Sequence, residues 1–226
     1  MGLKDWNSLP KGLRCPEVKE YYDILKKKET ELKLKRCFDI CAAGILLILI
    51  LPVLIVIAVL IKKDSKGPVF FRQERITTYG KKFMIHKFRT MRSDATGSLV
   101  TVGNDSRITK IGAVLRRYRL DELPQLIDIL QGNMSFVGTR PEVLKYVKQY
   151  KPEYRATLLM PAGVTSEACI RYKDEAELLD NADDVDKVYV EQVLPGKMQY
   201  NLEDIRFFSL KREMIIMFRT VMAVIR

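Results

Sequence analysis

The segment RLDELPQLIDILQGNMSFVGTRPE, residues 119–142, sets two adjacent carboxylates, Asp121 and Glu122, ahead of a short apolar period and closes on Gly-Thr-Arg-Pro. Pro124 is tolerated in the first turn of a helix, Gln125 to Leu130 carries the apolar repeat, and Gly132 is a natural stop. Both acids are therefore expected at a helix N-terminus. An aspartate there is an ordinary N-cap, but Pro124 at the third helical position has no N–H to offer, which leaves the cap a single amide. The competing reading is chemical. A carboxylate at a helix N-terminus, among Arg116, Arg117, Arg119 and Arg140, can hold a divalent metal while the dipole and guanidinium groups stabilise a phosphate. Spacing alone leaves the cap and the phosphate-transfer site evenly matched.

The surrounding chain is basic, and unevenly so. Of its 226 residues and formal charge of +11, residues 1–120 hold 25 Lys and Arg against 11 Asp and Glu, while the remainder is slightly acidic. Basic clusters flanking a long apolar run suit an anionic membrane surface better than nucleic acid, and no nucleic-acid partner is expected. Cys15, Cys37, Cys41 and Cys169 form no CxxC pair and read as reduced thiols. The one histidine, His86, leaves no ordinary zinc ligand set and a single base for any Ser-His-Asp or Cys-His arrangement.

From Ile40 to Ile61 the chain runs 22 residues without a charge, which as one straight helix reaches about 33 Å, enough to span a bilayer. Its length and its distance from Met1 argue against a cleaved signal peptide. Lys33, Lys35 and Arg36 flank its start and Lys62, Lys63 and Lys66 its end, so the positive-inside rule asks for both ends on the cytoplasmic face. Pro52 divides the run into arms of about 18 and about 14 Å, each too short to cross alone. A re-entrant helical hairpin reconciles these facts, with a proline-kinked transmembrane helix as its alternative. Asp39, at the interface end, is expected to pair with Lys35 or Arg36 as an anchor.

Further along, GPVFFRQERI and KKFMIHKFRTM read as two strands turning at Tyr79-Gly80, and residues 93–107 as a loop. Helical periods follow in ITKIGAVLRRYRL, across residues 142–160, in the acidic stretch Glu175 to Val193, and in the basic, apolar C-terminus SLKREMIIMFRTVMAVIR. There is no internal repeat, GxG motif or Walker-type phosphate loop.

Taken in order behind a basic-flanked apolar segment, GPVFFRQERI, KFRTM, LDELPQLIDILQGNMSFVGTRPE, AGVTSEACIRYKDE and YVEQVLPGKMQYNLE resemble the bacterial sugar transferase family, the small monotopic phosphoglycosyl transferases. The similarity runs over roughly residues 33–226. It implies transfer of a phospho-sugar from a UDP-sugar to a polyprenol phosphate, at the cytoplasmic face of the bacterial inner membrane, with membrane lipid as a further partner. Asp121 matches the family's nucleophile, which expels UMP and forms a phospho-aspartyl sugar, Glu122 its dyad partner, and Mg²⁺ its required ion, held at Asp121. Arg116 and Arg140 are the phosphate-binding candidates, Arg171 a third, and Lys87 and Arg89 in KFRTM further residues that can reach the anion.

The chain also departs from the family pattern. Leu51-Pro52 stands where many members have Ser-Pro, Gly132-Asn133-Met134-Ser135 where they have Gly-Asp-Met-Ser, and Gly138-Thr139-Arg140-Pro141 where they have Gly-Pro-Arg-Pro. Two other functions compete: a metal-dependent glycosyltransferase using Asp184-Val185-Asp186 as a DxD motif and releasing UDP, and a non-catalytic membrane-binding module. The fold expected is a helix-rich α+β monotopic membrane protein, with a polar basic extension (1–32), a re-entrant membrane helix (33–66) and a cytosolic catalytic domain carrying surface amphipathic helices (67–226).

Overall fold

The computed structural model describes residues 2–92, 106–175 and 184–225, and it is helix-rich α+β. Strands β1 (Phe70–Ile76) and β2 (Lys82–Phe88) form the expected antiparallel hairpin, with Phe70 opposite Phe88 and Ile76 opposite Lys82. Its turn depends on positive φ at Tyr79 (58°) and Gly80 (78°), a conformation that glycine adopts without steric penalty. A second sheet, which no sequence period announces, pairs β3 (Met134–Val137) in parallel with β4 (Ala162–Thr165). Gly138 and Gly163 allow the backbones just beyond β3 and within β4 to meet. A Cβ on Gly138 would strike Pro161 O and one on Gly163 the Gly138 main chain, and Gly138 N donates to Thr165 O while Gly163 N donates to Thr139 O, both at 2.9 Å.

Residues 1–32, expected as a polar extension, carry helix α1 (Pro16–Lys27) and bury Leu9, Leu13, Val18, Tyr22 and Leu25 in the largest apolar cluster. Much of that cluster comes from the 3₁₀ segment Pro152–Leu159 and a later helix, Leu194–Arg206. The apolar segment lies in α2 (Glu29–Asp64), one helix of 36 residues that continues through Pro52. The expected reversal at Pro52 is absent. A proline removes one hydrogen bond and crowds one carbonyl, which bends a helix more readily than it ends one. Pro52 is exposed, while an inward stripe of Ala43, Leu47, Ile50, Leu54, Ile57 and Ile61 recurs every three or four residues on both sides of it.

That stripe lies along the domain. Ala43, Leu47 and Ile50 pack with Phe83, Ile85, Leu126 and Ile129; Leu54, Ile57 and Ile61 pack with Phe88 and Leu115. The opposite face exposes Ile45, Ile48, Leu49, Ile55, Val56 and Val59. Helix α2 is tied down at both ends. Where its apolar run begins, Asp39 accepts from Ser135 Oγ (2.8 Å) and lies 3.8 Å from Lys35 Nζ, one of the two partners expected for it. At its end Asp64 accepts from Ile111 N (3.1 Å), the second residue of α3 (Lys110–Arg117). Arg36 donates to the Ile129 and Leu130 carbonyls (2.7 and 3.1 Å) at the C-terminus of α4 (Gln125–Leu130), so part of the basic flank is structural.

Residues 142–160 form only α5 (Leu144–Val147) before the Pro152 turn, because a proline excludes the α conformation from the residue ahead of it. Then come α6 (Glu167–Arg171), α7 (Val185–Val188), a π-helical turn at Tyr189–Val193, α8 (Leu194–Arg206) and α9 (Leu210–Ile225). Most of the predicted loop (93–105) and part of the acidic stretch (176–183) lie outside the described residues. Helix α9 exposes Met214, Ile215, Phe218 and Val221 and turns Glu213 inward, where it meets Lys35 Nζ at 2.6 Å.

Burial pushes the Glu213 carboxyl from its ordinary 4.5 up to about 7, with Lys35 opposing the rise. The folded state therefore holds this proton more tightly than the unfolded chain, so the group's contribution to stability is complete below about pH 4.5 and is lost as pH rises through about 7. We expect Glu213→Gln to flatten the fall in Tm across that window; thermal unfolding in detergent at pH 4.5, 6 and 8 measures it.

Candidate active site

The 3₁₀ turn Leu120–Glu122 precedes α4, and it is reached through Arg119, whose φ of 54° is left-handed and strained for a side chain of this size. Position 124, not 121, is the N-cap of α4. Asp121 is thus not the helix cap that its spacing allows. It is 8% exposed, and its Oδ1 has no hydrogen-bond partner.

Glu122, also 8% exposed, is paired twice. Lys87 Nζ, from β2, donates to its Oε1 at 2.9 Å. Arg140, just beyond β3, donates from Nη1 to Oε2 at 3.0 Å and from Nη2 to Oε1, a two-pronged clamp. The Gly138–Gly163 approach sets that loop, and Arg140 Nη1 also lies 3.4 Å from Val164 O. Arg116, at the end of α3, donates from Nε to Thr90 Oγ1 at 2.9 Å. Gly112 makes this contact feasible, since a Cβ there would strike the Thr90 backbone.

The electrostatics divide the two acids. Burial raises the Asp121 carboxyl above its usual range and Glu122 adds to the rise, against the lowering influence of Lys87, Arg140 and Arg116. Burial acts on Glu122 in the same sense, but the charges and hydrogen bonds of Arg140 and Lys87 outweigh it and hold Glu122 well below the usual range. Glu122 raises Arg140 well above its ordinary value, whereas burial lowers Lys87 despite Glu122. One carboxylate is committed and the other has an oxygen free, which is the division that a nucleophile and its partner require.

Other expected site residues are engaged elsewhere. Arg89 is buried and donates to the carbonyls of Lys66 (2.5 Å), Ser65 (2.7 Å) and Ile61 (3.5 Å); it caps the C-terminus of α2 rather than joining the Glu122 clamp. Arg171 pairs along α6 with Glu167 Oε1 at 2.9 Å, the surface ion pair that is its bland reading. Arg117 stacks on Tyr118 and Arg119 donates to Lys173 O. Asn133 accepts from Lys81 Nζ at 3.1 Å. His86 Nδ1 lies 2.7 Å from the fully buried Asp128, joining β2 to α4. In the DxD candidate, Asp184 caps Lys187 N and Asp186 bonds Lys145 and Tyr146, so both acids have structural work. Sequence reasoning missed Thr90, whose only signal is its place beside Arg89 in KFRTM. Among the described residues no three His, Cys, Asp or Glu side chains gather as a metal cage.

The sequence profile described as bacterial sugar transferase matches residues 30–226. The chain belongs to the bacterial sugar transferase family. Over 83% of its length it is 38% identical to the UDP-glucose:undecaprenyl-phosphate glucose-1-phosphate transferase of Escherichia coli (strain K12), covering 39% of that protein. It is 34% identical over 85% of its length to the UDP-N-acetylgalactosamine-undecaprenyl-phosphate N-acetylgalactosaminephosphotransferase of Aeromonas hydrophila, covering 44% of it. The exopolysaccharide production protein PSS of Rhizobium leguminosarum bv. phaseoli is 43% identical over 62% of the chain and covered to 75%. The chain thus spans about two fifths of the length of the first and second of these relatives and three quarters of the third.

The clamp has a measurable consequence for stability. Arg140→Met leaves the buried Glu122 charge to Lys87 alone and should destabilise the fold by about 3 kcal/mol. Adding Glu122→Gln should restore part of that loss; denaturant unfolding of the single and double variants reads the coupling.

Proposed function

We propose that the chain transfers a phospho-sugar from a UDP-sugar to a polyprenol phosphate at the cytoplasmic face of the bacterial inner membrane, with Asp121 as nucleophile. The observation that carries this reading is the buried, unpartnered Oδ1 of Asp121 beside a Glu122 saturated by Lys87 and Arg140. A carboxylate oxygen attacks the phosphorus that bears the sugar, an O–P bond forms, and the bond to the leaving UMP oxygen breaks with its electron pair. A phosphate oxygen of the polyprenol then attacks the same phosphorus and returns the electron pair to Asp121. Two displacements replace one difficult step. Glu122, fixed by two cations, holds the turn, while Arg140 and Arg116 supply positive charge near the phosphoryl oxygens. The names of the relatives support the substrate classes.

The donor set fits Mg²⁺. That ion takes one or two carboxylates and fills its shell with substrate phosphate oxygens and water, so Asp121 Oδ1 can hold it without a protein cage. When bound, Mg²⁺ offsets diphosphate charge.

Helix α2 is proposed to lie in one leaflet, its exposed apolar face in lipid and both ends at the cytoplasmic surface. In support, both ends are bonded to one globular body and the inward stripe is packed along its length. Single cysteines at Lys27 and Lys63 in a cysteine-free background should show one labelling pattern in intact cells. Opposite accessibility would establish a spanning helix instead.

The catalytic test uses detergent-solubilised protein, Mg²⁺, a panel of UDP-sugars and a polyprenol phosphate. UMP should be released, chelation should stop the reaction, and labelled UDP-sugar without acceptor should leave an acid-stable, hydroxylamine-sensitive adduct. Asp121→Asn should abolish adduct and turnover while leaving Tm nearly unchanged. Release of UDP would mean attack at the anomeric carbon and would sink the assignment.

A further inference from the structure

Among the described residues few buried side-chain polar atoms lack a hydrogen-bond partner, and two of them belong to one residue. Gln125 is 1% exposed, and neither its Oε1 nor its Nε2 is paired. Each unmet buried group of this kind costs on the order of 1–3 kcal/mol, and folded proteins retain few without a reason. Packing supplies none, since Met or Leu fills a similar volume.

Its position supplies one. Gln125 opens α4, and the backbone leading into it is already helical. The amides of Glu122, Leu123 and Leu126 each bond the carbonyl three residues back, and Leu123 and Pro124 have right-handed helical dihedrals. Position 125 therefore lies one turn beyond both acids, three residues from Glu122 and four from Asp121, spacings at which helical side chains can meet. Of the two acids, Glu122 is saturated. What remains is a carboxylate oxygen of Asp121 without a donor and an amide of Gln125 without an acceptor.

We propose that Gln125 is a positioning residue for the nucleophile: a side-chain rotation lets Nε2 donate to the Asp121 carboxylate as the phosphoryl bond forms, orienting the attacking oxygen in line with the leaving group. The inference rests on the reading of Asp121 as nucleophile. A neutral amide suits this role, because it orients a carboxylate without forming the ion pair that a lysine or arginine makes with Glu122.

Gln125→Met is close to isosteric and removes both unmet groups, so its Tm should be unchanged or higher. Its kcat should fall by at least about tenfold while KM for the UDP-sugar stays within about threefold, because orientation is lost and substrate contact is not. Gln125→Glu keeps the shape but replaces the donor with a second carboxylate, and should lose at least as much kcat. A Met variant with kcat within about twofold of the parent overturns the proposal, as does one whose Tm falls together with kcat, since the amide is then structural. Asp121→Asn assayed alongside separates the two failures. An inactive Asp121→Asn with a fully active Gln125→Met defeats only the role of Gln125, whereas an active Asp121→Asn defeats the nucleophile assignment itself.

Discussion

A carboxylate taken out of water has to be paired, and Glu122 is paired from two sheets at once. Lys87 comes from the antiparallel hairpin and Arg140 from the loop that leaves the parallel pair, while Glu122 itself sits in the 3₁₀ turn between α3 and α4. The clamp therefore joins three parts of the chain that share no local sequence relation. With either cation gone, a buried charge is left undercompensated, and breaking such a pair typically costs about 3–5 kcal/mol. The same clamp defines the site by what it omits. Lys87 and Arg140 bond Glu122, so for Asp121 their charges only oppose the rise that burial causes, and the two neighbouring acids differ in kind as well as in position.

Helix α2 is part of that frame. Its first half rests on Phe83 and Ile85 and its second half on Phe88, all side chains of β2, the strand that carries Lys87. Arg36 of α2 caps α4, and Arg89, just past β2, caps α2. The apolar helix and the candidate site are thus held by reciprocal bonds, so under the proposed placement of α2 in one leaflet its depth also fixes the height of the acids above it. That coupling suits the proposed acceptor, whose phosphate would lie at the bilayer surface, and Arg36 shows that a charged residue read as a topological signal also makes specific contacts.

The hairpin strands, α3, the C-terminal helix and the apolar segment were legible because each depends on a local period or a local turn. The paired acids stood out as a candidate site only through the resemblance, since spacing alone balanced a cap against chemistry. Other features were out of reach for stated reasons. The β3–β4 pair is four residues a strand, parallel and non-local, and its signature is two distant glycines whose approach no period records. Arg89, Arg140 and Arg171 look alike in a basic sequence; whether a guanidinium meets a carbonyl, a buried acid or a surface acid is decided by tertiary placement. At Pro52 a local rule lost to packing, because the inward stripe continues past it. In the N-terminal segment the lysines drew attention from Leu9, Leu13, Val18, Tyr22 and Leu25, whose burial makes it part of the core.

Three places where the described structure breaks its own rules fall together, although Tyr79 also has a positive φ and Arg75 and Asn201 each bury an unmet atom elsewhere. Arg119 adopts a left-handed φ without being glycine, Asp121 buries an unmet oxygen and Gln125 buries an unmet amide, all within seven consecutive residues. Several comparable buried groups are satisfied: Asp39 by Ser135, Asp128 by His86, the carbonyls ending α2 by Arg89. Local unfavourable energy of this kind persists only where the surrounding contacts over-determine the backbone, as the Glu122 clamp and the Arg36 cap do on either side. A module that only bound lipid headgroups would need exposed cations and no buried unmet acid, so nothing would maintain this concentration of cost. On the proposed function, three unmet demands gathered around one pair of acids are what distinguish a reaction site from a charged helix end.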